Sequence, residues 1–388
     1  MIKRDLQPVI QGFAKTYPVV TITGPRQSGK TTLAKMAFPS YTYCNLEHPE
    51  NRLLAENDPK SFFKQFPSPL IIDEIQRVPQ LLSYIQVFVD VQKNNGAFIL
   101  TGSHQLTLNA SISQSLAGRT ALVTLLPFSL NELKSIHKNI DRDELLFNGF
   151  MPRIYDQNQE PTALYRNYLH TYVERDVRQL IQLKDLTRFE NFIRLLAGRI
   201  GQVINVASLA SDTGVSSPTI SDWLSVLEAS YIIYRLQPYY HNLGKRIIKS
   251  PKLYFVDVGL ASYLLGIESL KQIARDPLLG GLFENMVVMD AVKTRYNAGK
   301  DANLYFFRDN HKNEVDLLYK SGQKLVPIEI KASRTYNTDF HKGISHFFKI
   351  KGADTKGHII YAGEKTMNID NIQIHHFKDS REIFSETQ

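Results

Sequence analysis

Short apolar runs punctuate the first third of the chain: Pro18-Val19-Val20-Thr21-Ile22-Thr23, Pro69-Leu70-Ile71-Ile72 and Ala97-Phe98-Ile99-Leu100. None alternates with polar residues. A strand covered on one face alternates, whereas a strand covered on both reads as one apolar run, so these segments predict a parallel α/β sheet between two layers of helix. From about residue 160 to 235, apolar positions fall at helical spacing among charged ones and predict a mostly helical stretch. Beyond residue 280, Tyr- and Phe-rich strands return among helices, giving a mixed α/β part. Polar and Gly/Pro-rich stretches around residues 157–161 and 266–281 mark the breaks. The expected division is 1–157, 158–265 and 266–388, and 388 residues suit two or three domains.

The middle part carries a recognisable pattern. Residues 204–212 read as a short helix, Thr213-Gly214-Val215 as a tight turn, and residues 216–228 as a second helix opened by Ser216, Ser217 and Pro218. Ile220, Leu224 and Leu227 form its apolar stripe. Helix, glycine turn and capped helix make the helix-turn-helix signature. The first turn of the second helix offers Ser216, Ser217, Thr219 and Ser221, with no Arg or Lys to read a base sequence. The next segment holds five basic residues, Arg235, Lys245, Arg246, Lys249 and Lys252, and no acidic one, with Tyr239, Tyr240 and His241 interleaved. Such a basic aromatic hairpin after a helix-turn-helix is expected to contact nucleic acid, DNA foremost, as a wing. A lid or protein-docking element is the other reading.

Charge and composition narrow the picture. The formal net charge is +8, and this segment gives the excess a location. Cys44 is the lone cysteine, which excludes an internal disulfide and a multi-cysteine zinc cluster. Met1-Ile2-Lys3-Arg4-Asp5 leads into no apolar core, and no apolar run approaches the roughly 18 residues of a membrane span, so a cytoplasmic protein is expected.

The sharpest chemical signal is Gly24-Pro25-Arg26-Gln27-Ser28-Gly29-Lys30-Thr31, which fits G-x-x-x-x-G-K-[ST] at every fixed position. A strand precedes it, and Thr32-Leu33-Ala34-Lys35 can begin a helix. Glycines let backbone N–H groups turn inward around phosphates, Lys30 reaches the β and γ phosphates, and the Thr31 hydroxyl ligates magnesium. Thr32 and the other loop residues complete the nucleotide cradle. A second apolar strand ends in Asp73-Glu74: Asp73 is expected near the magnesium and Glu74 beside an attacking water. A third strand leads into Gly102-Ser103-His104-Gln105, where Ser103 is the candidate γ-phosphate sensor. Arg119, in Ser115-Leu116-Ala117-Gly118-Arg119, is a candidate arginine finger from a neighbouring subunit, a cis phosphate contact or a surface arginine.

These motifs resemble the prokaryotic AAA+-like ATPase family close to the archaeal ATPases, which carries a C-terminal domain of unknown function. Tyr172-Val-Glu-Arg-Asp-Val177 is similar to the signature opening that second part. The resemblance covers nearly the whole chain. It implies a P-loop AAA+-like parallel-sheet domain, a helical and winged-helix middle, and a C-terminal restriction-endonuclease-like domain. Ser103 departs from the Asn or Thr sensor common in AAA+ proteins.

In the last part, Glu314-Val315-Asp316-Leu317-Leu318 and Leu325-Val326-Pro327-Ile328-Glu329-Ile330-Lys331 flank a turn signal. A two-residue turn at Gly322-Gln323 sets Asp316 opposite Glu329 and Glu314 opposite Lys331, all on one face. Pro327 falls opposite Leu318, which calls for an edge strand or a bulge. Two carboxylates beside a lysine can hold magnesium and steady a pentacovalent phosphate, and a solvated face of cross-strand ion pairs has the same composition. Asp316 followed by Glu329-Ile330-Lys331 is similar to the PD-(D/E)XK nuclease motif. That resemblance implies a further acid from a preceding helix, Glu284, with Glu284, Asp316 and Glu329 as metal ligands and Glu329 and Lys331 as catalytic groups. The expected protein is an ATP- and magnesium-using ATPase (Lys30, Thr31, Asp73, Glu74) acting on nucleic acid, with a magnesium-dependent nuclease-like domain and a possible homo-oligomeric state. The alternative is a nucleotide-dependent switch whose C-terminal domain recognises DNA or a protein without cleavage.

Overall fold

The computed structural model describes residues 2–103, 115–173, 185–239, 250–353 and 355–385. Lys245, Arg246 and Lys249, with Tyr240, His241, His104 and Gln105, lie outside the described residues, as does most of the 172–177 segment. The chain forms two compact units. One comprises residues 1–128, 229–231 and 296–300, and the other residues 129–228, 232–295 and 301–388. The second unit therefore takes in both the helical middle and the last sheet. No helix among the described residues is long and apolar enough to cross a membrane.

The first unit is built on five parallel strands: β1 (Val19–Thr23), β2 (Thr42–Asn45), β3 (Leu70–Asp73), β4 (Phe98–Gly102) and β5 (Thr120–Thr124), in the order β2-β3-β4-β1-β5. Side chains of a strand alternate between faces, so each apolar run feeds two cores at once. Val19, Leu70, Ile72, Phe98 and Leu100 enter one core, while Val20, Ile22, Ile71 and Ile99 enter the other. Most are fully buried, and each such aliphatic or aromatic side chain contributes roughly 1.5–3 kcal/mol. Helix α1 (Lys30–Ala37) starts directly after the phosphate loop, and α2 (Leu81–Gln92) follows β3. The β1 and β3 ends flank β4, which sets the two candidate nucleotide motifs near each other at one sheet edge.

In the second unit, α3 (Leu186–Ala197), α4 (Val206–Thr213) and α5 (Ser217–Ala229) precede a two-stranded antiparallel sheet of β6 (Ile233–Leu236) and β7 (Lys252–Phe255). Gly214 ends α4 in the left-handed conformation, and Asn205 caps its start through Ser208 N–H. Trp223 of α5 packs edge-on against Phe189 of α3, 5.2 Å between ring centres. Helix α6 (Leu279–Asn297) leads into a six-stranded sheet: β8 (Leu304–Arg308), β9 (Glu314–Ser321), β10 (Lys324–Lys331), β11 (Gly357–Tyr361), β12 (Met367–Ile369) and β13 (Ile372–His376), in the order β12-β13-β11-β10-β9-β8. Helix α7 (Lys342–Lys351) lies between β10 and β11 in the chain and seals one face with Ile344 and Phe347.

The β9–β10 hairpin keeps the register read from its turn, with Lys324 against Ser321, Pro327 against Leu318 and Ile328 against Leu317. There the ladder stops. β10 turns to pair in parallel with β11, Ile328 with His358 through Lys331 with Tyr361, while the start of β9 stays with β8, Arg308 against Glu314. Two expectations need correction. Pro327 is on an interior strand, and its missing N–H is accommodated because the β11 ladder begins only at Ile328. Asp316 is not paired with Glu329, nor Glu314 with Lys331, because the two strands part before reaching them.

Candidate functional site

The phosphate loop is shaped by its backbone. Gly24 has φ of +145°, and a Cβ there would sit 2.1 Å from the Leu125 carbonyl oxygen, so only glycine fits. Gln27 takes a left-handed φ of +64°, and Gly29, also left-handed, stands at the N-cap of α1. Ser28 is buried and its hydroxyl donates to the Pro25 carbonyl at 2.9 Å. Arg26 is half-buried, and Thr32 is exposed on the first turn of α1. Lys30 is buried, with its Nζ donating to the carbonyls of Gly24 (3.0 Å) and Pro25 (2.8 Å). Burial lowers this ammonium to about 8, against the upward pull of Glu74 and Asp73.

Asp73 ends β3 as a buried carboxylate gathering three hydroxyls. Thr31 donates to its two oxygens at 3.0 and 2.9 Å, Tyr43 donates to Oδ2 at 2.9 Å, and Thr101 donates to Oδ1. Glu74 follows in a left-handed conformation, φ +59°, which costs a non-glycine residue about 1–3 kcal/mol and persists only where its surroundings impose it. Here they do. The Glu74 N–H donates to Thr101 Oγ1 at 3.3 Å, and its Oε2 accepts from Gln76 Nε2 and from Ser103 Oγ at 3.3 Å. Gln76 Nε2 also donates to Ser103 Oγ at 3.2 Å. Ser103 is thus brought to Glu74. Tyr43, Thr101, Gln76 and Arg4 escaped the sequence reading. Arg4 is buried and donates to the carbonyls of Ser28 (2.6 Å) and Leu126 (2.7 Å). Only Gln76, two positions beyond Glu74 in the same motif, left a local signal. Arg119 stands apart, its guanidinium donating twice to Asp90 of α2 at 2.7 and 2.9 Å.

The second unit gathers Glu284, Asp316, Glu329 and Lys331 with Glu314, with Lys252, expected elsewhere, and with Tyr254, which the sequence did not suggest. Lys331 Nζ lies 3.0 Å from Asp316 Oδ2 and pairs with Glu329. Where the β9–β10 ladder ends, Asp316 Oδ2 accepts the Ile330 N–H at 2.9 Å in place of a backbone partner. Glu284 accepts from Lys252 Nζ at 2.9 Å and from the Tyr254 hydroxyl at 2.6 Å. Lys252 also pairs with Glu314 at 2.5 Å. Burial pushes Glu329 up, and Asp316 beside it pushes further, to about 9 despite Lys331. Burial also raises Asp316, but Lys331 and Lys252 together hold it below its ordinary value.

Lys252 therefore departs from its expected place on a nucleic-acid surface, since it is 1% exposed. Arg235, at the other end of the basic segment, is paired with Glu228 of α5. A charge count confined to residues 235–252 omitted the acids supplied by α5, α6 and β9. The three carboxylates of the expected metal set each meet an ammonium group, and among the described residues no group of three or more carboxylate, imidazole or thiol side chains that could hold a metal ion is found.

Residues 16–134 match the model of an AAA domain, residues 139–271 a domain of unknown function (DUF8612) and residues 279–378 another (DUF4143). The uncharacterized protein Rv2008c of Mycobacterium tuberculosis is 31% identical over 338 residues, covering 86% of this chain and 74% of the relative. An uncharacterized protein of Haemophilus influenzae is 24% identical over 390 residues, covering 89% of this chain and 90% of the relative. Among solved structures, the Walker-type ATPase Paby2304 of Pyrococcus abyssi is similar at a TM-score of 0.42 and 16% identity, over 67% of this chain and 94% of that one. With an AAA domain of the P-loop ATPase type at residues 16–134, this chain belongs to the same family as the uncharacterized mycobacterial protein.

Proposed function

We propose that this chain binds and hydrolyses ATP, and that turnover resets a binding state in which the second unit recognises nucleic acid without cutting it. The arrangement around Asp73 carries the ATPase reading. The Thr31 hydroxyl and the Asp73 carboxylate, 2.9–3.0 Å apart, are hard oxygen donors suited to magnesium. When bound, the ion would neutralise phosphate charge there. Lys30 leaves its loop carbonyls for the β and γ phosphates. Glu74, held by Gln76 and Ser103, accepts the proton of the attacking water. Recognition without cleavage is favoured by the ammonium groups already paired with the carboxylates of the second unit. The expected nucleic-acid contacts are the first turn of α5 and the segment containing Lys245, Arg246 and Lys249.

One incubation with ATP, magnesium and DNA tests both halves, with phosphate release and DNA integrity followed together. Lys30→Ala should abolish turnover. Glu74→Gln should retain ATP binding while slowing hydrolysis by about 10²–10⁴-fold, the range for losing a general base. Unchanged hydrolysis by Lys30→Ala would refute the ATPase reading, and DNA cutting lost in Lys331→Ala would refute the non-cleaving one.

A further inference from the structure

Building on recognition without cleavage, we infer that Lys252 is the resident cation of the carboxylate–lysine cluster, and that this cluster works without a divalent metal ion. The Lys252 side chain is 2% exposed, and its Nζ spans two carboxylates carried by separate elements, Glu284 of α6 at 2.9 Å and Glu314 of β9 at 2.5 Å. Glu284 Oε1 is further occupied by the Tyr254 hydroxyl at 2.6 Å. Arg308 Nε stands 3.4 Å from the other Glu314 oxygen. Lys331 serves Asp316 and Glu329 in the same way. Four carboxyl groups thus meet three cations.

Magnesium demands a near-octahedral shell of oxygens and surrenders its own water reluctantly. Here one oxygen of each of Glu284, Asp316 and Glu329 that would form that shell is turned to an N–H or O–H donor. Lys252 cannot step aside as a surface lysine would. Its backbone is held in β7 against Leu236 and bridged to Val203, and its ammonium lies 5.6 Å from the centre of the Phe306 ring. A divalent ion entering beside it would meet a like charge in a water-poor site, where repulsion is weakly screened. The ammonium performs the cross-linking that a metal would otherwise perform, tying α6 to β9 through the hairpin of β6 and β7. Occupancy of the cluster consequently does not vary with magnesium supply.

The test is manganese binding to the full chain, read by the paramagnetic signal of free Mn2+ in the absence of nucleotide. Asp73→Asn is present in every arm to remove the carboxylate of the phosphate-loop site. With Lys252 intact, the expected result is no Mn2+ binding that depends on Glu284, so adding Glu284→Gln changes nothing. Lys252→Met should gain one Mn2+ equivalent, bound at least about tenfold more tightly than by the Lys252-intact protein because a like charge has gone. Its thermal midpoint should rise with Mn2+, and Glu284→Gln should cancel the gain. One Mn2+ bound with Lys252 in place and lost on Glu284→Gln overturns the inference. A folded Lys252→Met protein that takes no Mn2+ overturns it as well. If Lys252→Met does not fold, the pair of arms with and without Glu284→Gln decides alone. ATP turnover of the Asp73-intact Lys252→Met chain, assayed beside these, tells a failure here from a failure of the ATPase reading.

Discussion

Lys30 shows how one side chain links ligand, proton and stability. Burial lowers its ammonium to about 8, below the ordinary 10.5. The unfolded chain therefore binds more protons than the folded one between those values. The ligand-free protein should gain stability as pH rises from about 8 to 10.5, and Lys30→Met should flatten that gain in denaturant titrations. A polyphosphate restores the charge. Nucleotide binding should take up close to one proton near pH 9, little at pH 7, and weaken as pH rises above about 8. Calorimetry in two buffers of different ionisation enthalpy reads the uptake directly, and equal apparent enthalpies at pH 9 would contradict it. The motif made Lys30 and Thr31 legible because phosphate chemistry fixes their spacing, and Asp73 was legible as the acid ending a second apolar strand. Tyr43 and Thr101 were silent, since each is one hydroxyl on an ordinary strand whose meaning comes only from the neighbouring strand.

At the scale of elements, the last hairpin marks where local reasoning stops working. A two-residue turn and a period of two gave the true register from Ser321/Lys324 to Leu317/Ile328. The parting of β9 from β10 was invisible, because β11, which draws β10 away, begins 26 positions after Lys331 and is joined to it through α7. That helix approaches the cluster closely. A Cβ on Gly343 would lie 2.0 Å from Glu329 Oε1 and 2.3 Å from the Glu314 carbonyl oxygen. Gly343→Ala should destabilise the protein by about 1–3 kcal/mol, the usual range for overpacking a fixed site, as measured by urea unfolding. A neutral result would mean that α7 shifts freely over the sheet. The helix-turn-helix pattern, by contrast, was legible to within two residues at each end, because caps and a left-handed glycine are local signals.

For the whole molecule, a net charge of +8 overstates what the basic segment can present. Arg235 and Lys252 are paired with carboxylates, and the other basic residues of the segment, Lys245, Arg246 and Lys249, lie outside the described residues. If this segment is the nucleic-acid contact, log affinity for duplex DNA should fall against log salt with a slope of about −2 to −3 rather than about −4 to −5. Fluorescence anisotropy across a salt series measures it. Replacing the three with Ala should nearly flatten the dependence, and an unchanged slope would move the contact elsewhere.

Arg4 has a consequence for the sites of change that the ATPase can tolerate. Its guanidinium ties the carbonyls of Ser28 and Leu126 together and lies 4.8 Å from the centre of the Phe128 ring. The shape of the phosphate loop is thus underwritten by a residue 20 positions upstream of the motif. Substitution of Arg4 would remove that tie while leaving every residue of the motif intact, and a comparison of motifs alone would score such a protein as equivalent.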